Sequence, residues 1–154
     1  MEQLIGREKE TLLLNKYLNN NRSEFIAIYG RRRVGKTFLI RKHFSDQFDF
    51  YATGIIEGSM AEEMEAFNVA LYNYGYTGKK KAKTWIEAFT ILAQLLKEKA
   101  SQKKEPIIVF IDELPCFDTT RSGFIHALDF FWNSQGTWID NIKFIVCGSA
   151  TSWM

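Results

Sequence analysis

An α/β fold with a mainly parallel sheet is what the sequence predicts, on three observations. Short, β-prone apolar runs alternate with stretches of helical periodicity along the chain. Two of these runs, Phe25 to Tyr29 and Ile107 to Ile111, are apolar at every position, the pattern of strands covered on both faces. Helical segments separate the strand candidates, and such crossovers are what parallel pairing requires.

The elements follow in order. A polar stretch, Asn19-Asn20-Asn21-Arg22-Ser23, reads as a loop before the first strand, Phe25-Ile26-Ala27-Ile28-Tyr29, which stops at Gly30. A helical stretch covers Phe38 to Phe44. Phe48-Asp49-Phe50-Tyr51-Ala52 is a weaker strand candidate, closed by Gly54. Ser59 stands three residues before Glu62, a capping-box pattern, and Met60, Met64, Phe67, Leu71 and Tyr74 then recur at helical spacing. Thr84 and Glu87 repeat the pattern, with Trp85, Phe89, Leu92 and Leu96 on one face of a helix running towards Ala100. Ile107 to Ile111, introduced by Pro106, is the strongest strand. Phe124 to Trp132 is apolar nearly all round and predicts a buried helix; Phe144 to Cys147 is a strand ending at Gly148. Trp132 and Trp138, flanking Gly136, are expected in the core.

A length of 154 residues is that of one domain, and 46% hydrophobic with 25% charged residues is ordinary globular composition. Twenty Lys and Arg against eighteen Asp and Glu give a net charge of +2, too balanced for nucleic acid or an anionic membrane as the principal partner. The basic run Lys79-Lys80-Lys81-Ala82-Lys83 lacks interleaved aromatics and reads as a solvated loop. Cys116 and Cys147 have no companions at metal-ligand spacing, nor do His43 and His126. The N-terminus lacks the apolar stretch of about 7 to 15 residues of a signal peptide. No apolar run approaches the roughly 20 residues that span a bilayer. A soluble, cytoplasmic protein with no membrane partner is expected.

Gly30-Arg31-Arg32-Arg33-Val34-Gly35-Lys36-Thr37 satisfies G-x-x-x-x-G-K-[ST] in full, after a predicted strand and before a helix. The two glycines let the backbone fold closely round a phosphate. Successive N–H groups and the positive end of the following helix dipole complete an anion site. Lys36 is expected to reach the β- and γ-phosphates of ATP, Thr37 to offer a hydroxyl oxygen to Mg²⁺, and Phe38 to continue the nucleotide contact. Arg31, Arg32 and Arg33 either add positive potential or point to solvent.

Ile107 to Ile111 then delivers Asp112 and Glu113 to the carboxyl end of a buried strand, the edge where open α/β sheets bind ligands. Asp112 is placed on the Mg²⁺ shell opposite Thr37. Glu113 is placed to orient or deprotonate the water attacking the γ-phosphate. Gly148-Ser149-Ala150-Thr151-Ser152 ends another strand; Ser149 either senses the γ-phosphate or closes a plain turn.

These segments, together with Leu4-Ile5-Gly6-Arg7-Glu8-Lys9-Glu10 and its Leu-rich continuation, Leu114-Pro115 and Trp132-Asn133, resemble the prokaryotic AAA-like ATPases often called the archaeal ATPase family. That family is related to the STAND signalling NTPases and the origin-recognition ATPases. The resemblance implies a P-loop NTPase three-layer sandwich. It places Ile5, Gly6 and Arg7 near the adenine, residues 1–22 as an N-terminal helix segment beside it, and residues 23–154 as the nucleotide-binding core. Ser149 matches a sensor position. Asn133 departs from the acidic residue expected after Trp. Members continue into a fifth core strand, a lid and often further domains, so the ending at Met154 implies a module cut before the fifth strand and lid. Nucleic acid would then be a partner only through later parts.

The implied sheet order puts the Phe25 strand at an edge, followed by the Phe144, Ile107 and Phe48 strands. An uncovered apolar edge predicts self-association. The leading function is ATP binding with Mg²⁺-dependent hydrolysis. One alternative is a regulatory module that binds ATP or ADP as a switch without useful turnover; another is a small-molecule kinase, which would need a lid and an acceptor site.

Overall fold

A computed structural model describes residues 15–30 and 35–149. Strand β1 (Glu24–Gly30) is followed by α1 (Lys36–His43), β2 (Phe50–Thr53), α2 (Met60–Asn73), α3 (Trp85–Gln102) and β3 (Ile107–Asp112). A four-residue α4 (Leu114–Phe117), α5 (Phe124–Ser134), a 3₁₀ turn (Gly136–Trp138) and β4 (Ile142–Ser149) complete the order. The four strands form one sheet in the order β1-β4-β3-β2, every neighbouring pair parallel. This is an α/β sandwich with the expected strand order.

Alternation along β3 and β4 makes the three layers. Ile107, Val109 and Ile111 of β3, with Ile142, Phe144 and Val146 of β4, face a core filled by Phe67 and Leu71 of α2, Phe89 and Leu92 of α3, and Phe124 and Phe131 of α5. The intervening residues Ile108, Phe110, Ile145 and Cys147 face the other way, against Ile40 and Leu39 of α1 and Phe44 beyond it. Both faces are covered, which is why these strands read as unbroken apolar runs.

The caps behave as their sequence demands. Ser59 Oγ accepts from the Glu62 N–H at 3.1 Å, and Glu62 Oε1 accepts from the Ser59 N–H at 2.9 Å, closing the box on α2. Thr84 Oγ1 caps α3 through the Glu87 N–H at 3.1 Å. In the basic run the lysines stand in solvent, while Ala82 is buried and pinned by Asn68, whose amide gives to its carbonyl and takes from its N–H.

Two expectations fail. Helix α5 is not buried all round: Phe124, Ala127, Leu128 and Phe131 are buried, but Ile125 and Phe130 are exposed, because among the described residues α5 packs on one side only. Trp138 is 78% exposed, at the tip of the 3₁₀ turn, and its neighbour Ile139 fills the core position instead. Trp132 is half-buried, edge-on to Phe25 and packed on Phe144.

One buried cation ties the loop ahead of β1 to the middle of the sheet. Lys143 has no exposed surface, and its Nζ donates to Asn20 Oδ1 at 2.7 Å and to the carbonyls of Asn20 and Arg22. Lys143→Met removes the donor from three oxygens at once. It should lower unfolding stability by about 1–3 kcal/mol, read as a shift of the urea midpoint at unchanged slope.

Candidate functional site

The carboxyl ends of β1, β3 and β4 converge where two motifs meet. Helix α1 begins immediately after Gly35, whose φ of 84° and ψ of 19° are left-handed values that glycine adopts without strain. Its N-cap is a glycine, so among the described residues no side chain caps the start of α1; no acidic residue stands in its first turn, and its last turn carries Arg41, Lys42 and His43. An uncapped, positively polarised helix start of this kind accepts anions.

Strand parity brings the second motif to it. Asp112 follows Ile108 and Phe110 on the α1 side of the sheet, and Thr37 stands in the first turn of α1. The Thr37 hydroxyl donates to Asp112 Oδ2 at 2.6 Å, joining two residues 75 positions apart. Asp112 is 7% exposed, and its Oδ1 accepts from the Glu113 N–H at 2.9 Å. The carboxylate is thus fixed by two bonds, one to each motif.

At Glu113 the strand turns. Its φ of 49° and ψ of 43° are left-handed values, unusual for a residue with a side chain, and they send the chain into α4. Backbone strain of this type collects at functional sites. The Cys116 N–H donates to the Glu113 carbonyl at 3.0 Å, closing the turn. Gly54, after β2, donates its N–H to the Asp112 carbonyl at 3.0 Å, so β2 also abuts the site.

The candidates therefore divide into three groups. Thr37, Asp112 and Glu113 are brought together by direct hydrogen bonds. Gly30 and Ser149 are brought side by side by the parallel register of β1 and β4, Gly30 opposite Ser149, and Lys36 is the first residue of α1. Phe38 is on α1 but 60% exposed, its ring covered by Lys42 Nζ at 5.9 Å. Ile5, Gly6, Arg7, Arg31, Arg32, Arg33 and Val34 lie outside the described residues. His43, whose pKa burial pushes down, and exposed His126 are remote in kind from this chemistry.

Sequence reasoning missed the β2–α2 side of the site: Gly54 and the buried Glu63. A signal existed, because Glu63 lies four residues before Phe67 on the apolar face of α2, where a carboxylate is out of place.

The fold, with G-x-x-x-x-G-K-[ST] running from the end of β1 into α1, is that of a P-loop type α/β domain. A sequence profile described as an ATPase domain predominantly from Archaea matches residues 4–154, and the chain belongs to that family. It is 47% identical over 47 residues to an uncharacterized protein of Methanocaldococcus jannaschii, a match covering 30% of this chain and 11% of that protein. An uncharacterized ATP-binding protein of the same organism is 42% identical over 43 residues, 28% of this chain and 73% of that one. Among solved structures, the Walker-type ATPase PABY2304 of Pyrococcus abyssi is similar in fold, with a TM-score of 0.57 at 20% identity over 92% of this chain. The ORC2 protein of Aeropyrum pernix, solved as ADPNP and ADP complexes, gives 0.58 at 16% identity over 94% of this chain. The chain spans 44% and 40% of those two proteins.

Proposed function

We propose that this domain binds ATP with Mg²⁺ at the carboxyl edge of its sheet and hydrolyses it in the cytoplasm. The observation that carries this reading is the 2.6 Å bond between Thr37 and Asp112. A hydroxyl that gives its proton to a carboxylate turns an oxygen lone pair outward, beside the uncapped start of α1 where a phosphate chain would lie. Both donors are hard oxygens, which suit Mg²⁺. When bound, that ion supplies charge neutralisation on the β- and γ-phosphate oxygens.

The chain's residues divide the rest of the work. Gly30 to Thr37 wraps the phosphates through backbone N–H groups, and Lys36 adds its cation to the β- and γ-oxygens. Glu113 takes the proton of the attacking water, and Ser149, level with Gly30, senses the γ-phosphate. Ile5, Gly6 and Arg7, in the 1–22 segment, are assigned to the adenine, and residues 23–154 to the core. Arg31, Arg32, Arg33, Val34 and Phe38 contribute secondary contacts. Titration with ATP and ADP, with and without Mg²⁺, followed by measurement of phosphate release, tests the reading. Binding strengthened by Mg²⁺ with steady release supports it; absence of nucleotide binding overturns it.

A second copy is the expected partner of the isolated chain. Strand β1 has β4 on one side and no strand on the other among the described residues; its Phe25 is 38% exposed. An apolar parallel-sheet edge left open is a template for pairing. Sedimentation at rising concentration should show reversible dimers or larger species, and a monodisperse monomer throughout would count against it. No helix among the described residues is long and apolar enough to cross a membrane.

A further inference from the structure

Behind Glu113 lies a buried carboxyl group that neither motif uses. Glu63, in the first turn of α2, has no exposed surface. Its Oε1 accepts a hydrogen bond from the Ile55 N–H at 2.8 Å, closing the loop of residues 54–58 onto the helix that follows. Its Oε2 is buried with no hydrogen-bond partner among the described residues. Burial pushes its pKa up; the Ile55 N–H opposes the shift and neighbouring Glu62 adds to it. A carboxyl group left this poorly solvated is unfavourable, and apolar side chains fill the neighbouring positions of the same face.

What the group holds explains where it stands. Both ends of the loop are glycines pressed against other atoms. A Cβ on Gly58 would come within 2.1 Å of Glu63 Oε2. At the other end, a Cβ on Gly54 would lie 2.5 Å from the Glu113 carbonyl oxygen and 2.7 Å from Cys116 Cβ, with Glu63 Oε1 at 3.5 Å. The loop is thus a thin spacer, with Glu63 on one side and the left-handed turn at Glu113 on the other. The Gly54 N–H bond to the Asp112 carbonyl seats it on the end of β3.

We propose that Glu63 is a positioning residue for Glu113: by clamping the Gly54–Gly58 loop against the Glu113–Cys116 turn, it fixes the direction in which the Glu113 carboxylate leaves β3. Glu63 touches no phosphate and takes no proton from water; it acts through Gly54. The proposal rests on the reading of Glu113 as the group that activates water.

Three variants of the full chain test it: Glu63→Leu, which removes the acceptor at similar size; Glu63→Gln, which keeps an acceptor oxygen for the Ile55 N–H; and Gly54→Ala, which disturbs the spacer from the side of Glu113. Amide hydrogen exchange is followed at Ile55 and at Cys116, beside affinity for a fluorescent ATP analogue with Mg²⁺ and steady-state phosphate release. Glu63→Leu should speed exchange at both amides and lower kcat by about tenfold to a hundredfold, the usual cost of a displaced catalytic group, with affinity within about twofold of the parent. Glu63→Gln should restore most of both. Gly54→Ala should reproduce the loss of kcat at kept affinity, which also decides the matter should Glu63→Leu not fold. Faster exchange at Ile55 with Cys116 still protected overturns the proposal, as does an affinity loss that matches the loss of kcat. Absence of turnover in the parent overturns the hydrolysis reading instead, and exchange at Cys116 still decides whether Glu63 holds the turn.

Discussion

Lys36→Ala should weaken binding of Mg²⁺-ATP by about one to two decades. Lys36 is the first residue of α1, directly after the left-handed Gly35 and directly before Thr37, whose hydroxyl is bonded to Asp112. On the proposed reading it is the residue that adds its cation to the β- and γ-phosphates. Charge-assisted hydrogen bonds contribute roughly 1.5–3 kcal/mol each, and every 1.4 kcal/mol or so is tenfold in Kd. The loss should not be complete. Backbone N–H groups of the loop and the uncapped start of α1 remain, and they need no side chain to attract an anion. Dissociation constants by calorimetry, for the parent and the variant at one salt concentration, check the prediction. A variant that binds like the parent would show that the glycine loop does not hold the phosphates.

How much of this was legible beforehand follows from what each element depends on. The phosphate motif and the Asp112-Glu113 pair could be read because they are local: residue types at fixed spacing, each at the end of an apolar run. Strand order β1-β4-β3-β2 followed from the resemblance and not from periodicity, which is blind to order. Strand β2 shows the limit of pattern. The run from Phe48 looks continuous, yet the strand begins at Phe50: the Asp49 N–H still gives to the Ile108 carbonyl at 2.8 Å, but the Ile108 N–H is taken at 2.8 Å by Asp49 Oδ2, which also pairs with Lys103 at 3.0 Å. Phe48 packs on Tyr51 and Phe110 as a lead-in.

Helix α4 is four residues long and contains Pro115, so no helical period could announce it. Trp138 was misplaced because its ring is large and apolar, whereas position within the 3₁₀ turn decides exposure, and the turn aims Ile139 inward. Glu63 escaped because one carboxylate on an apolar face is only an exception to a pattern; its meaning lies in two glycines that meet it in space. Local chemistry was written in the sequence, and the contacts between remote segments that hold it in place were not.

Glu113→Gln should leave ATP binding near that of the parent and lower hydrolysis by roughly a hundredfold or more. Glutamine keeps the length and polarity of glutamate but cannot accept the proton of an attacking water. The left-handed turn at Glu113 is built from backbone bonds: the Gly54 N–H to the Asp112 carbonyl and the Cys116 N–H to the Glu113 carbonyl. The bond from the Glu113 N–H to Asp112 Oδ1 likewise involves no Glu113 side-chain atom. Substitution at the carboxyl group therefore leaves the Thr37–Asp112 pair in place, and with it the residues assigned to the cation and the phosphates. Affinity and turnover should separate, in contrast to Lys36→Ala, where affinity itself falls. Equilibrium titration beside phosphate release at saturating ATP measures both. A variant that hydrolyses at the parent's rate would remove Glu113 from the chemistry, and a parent that binds ATP tightly yet never releases phosphate would make this domain a nucleotide switch, with Glu113 an occupant of its site and not a base.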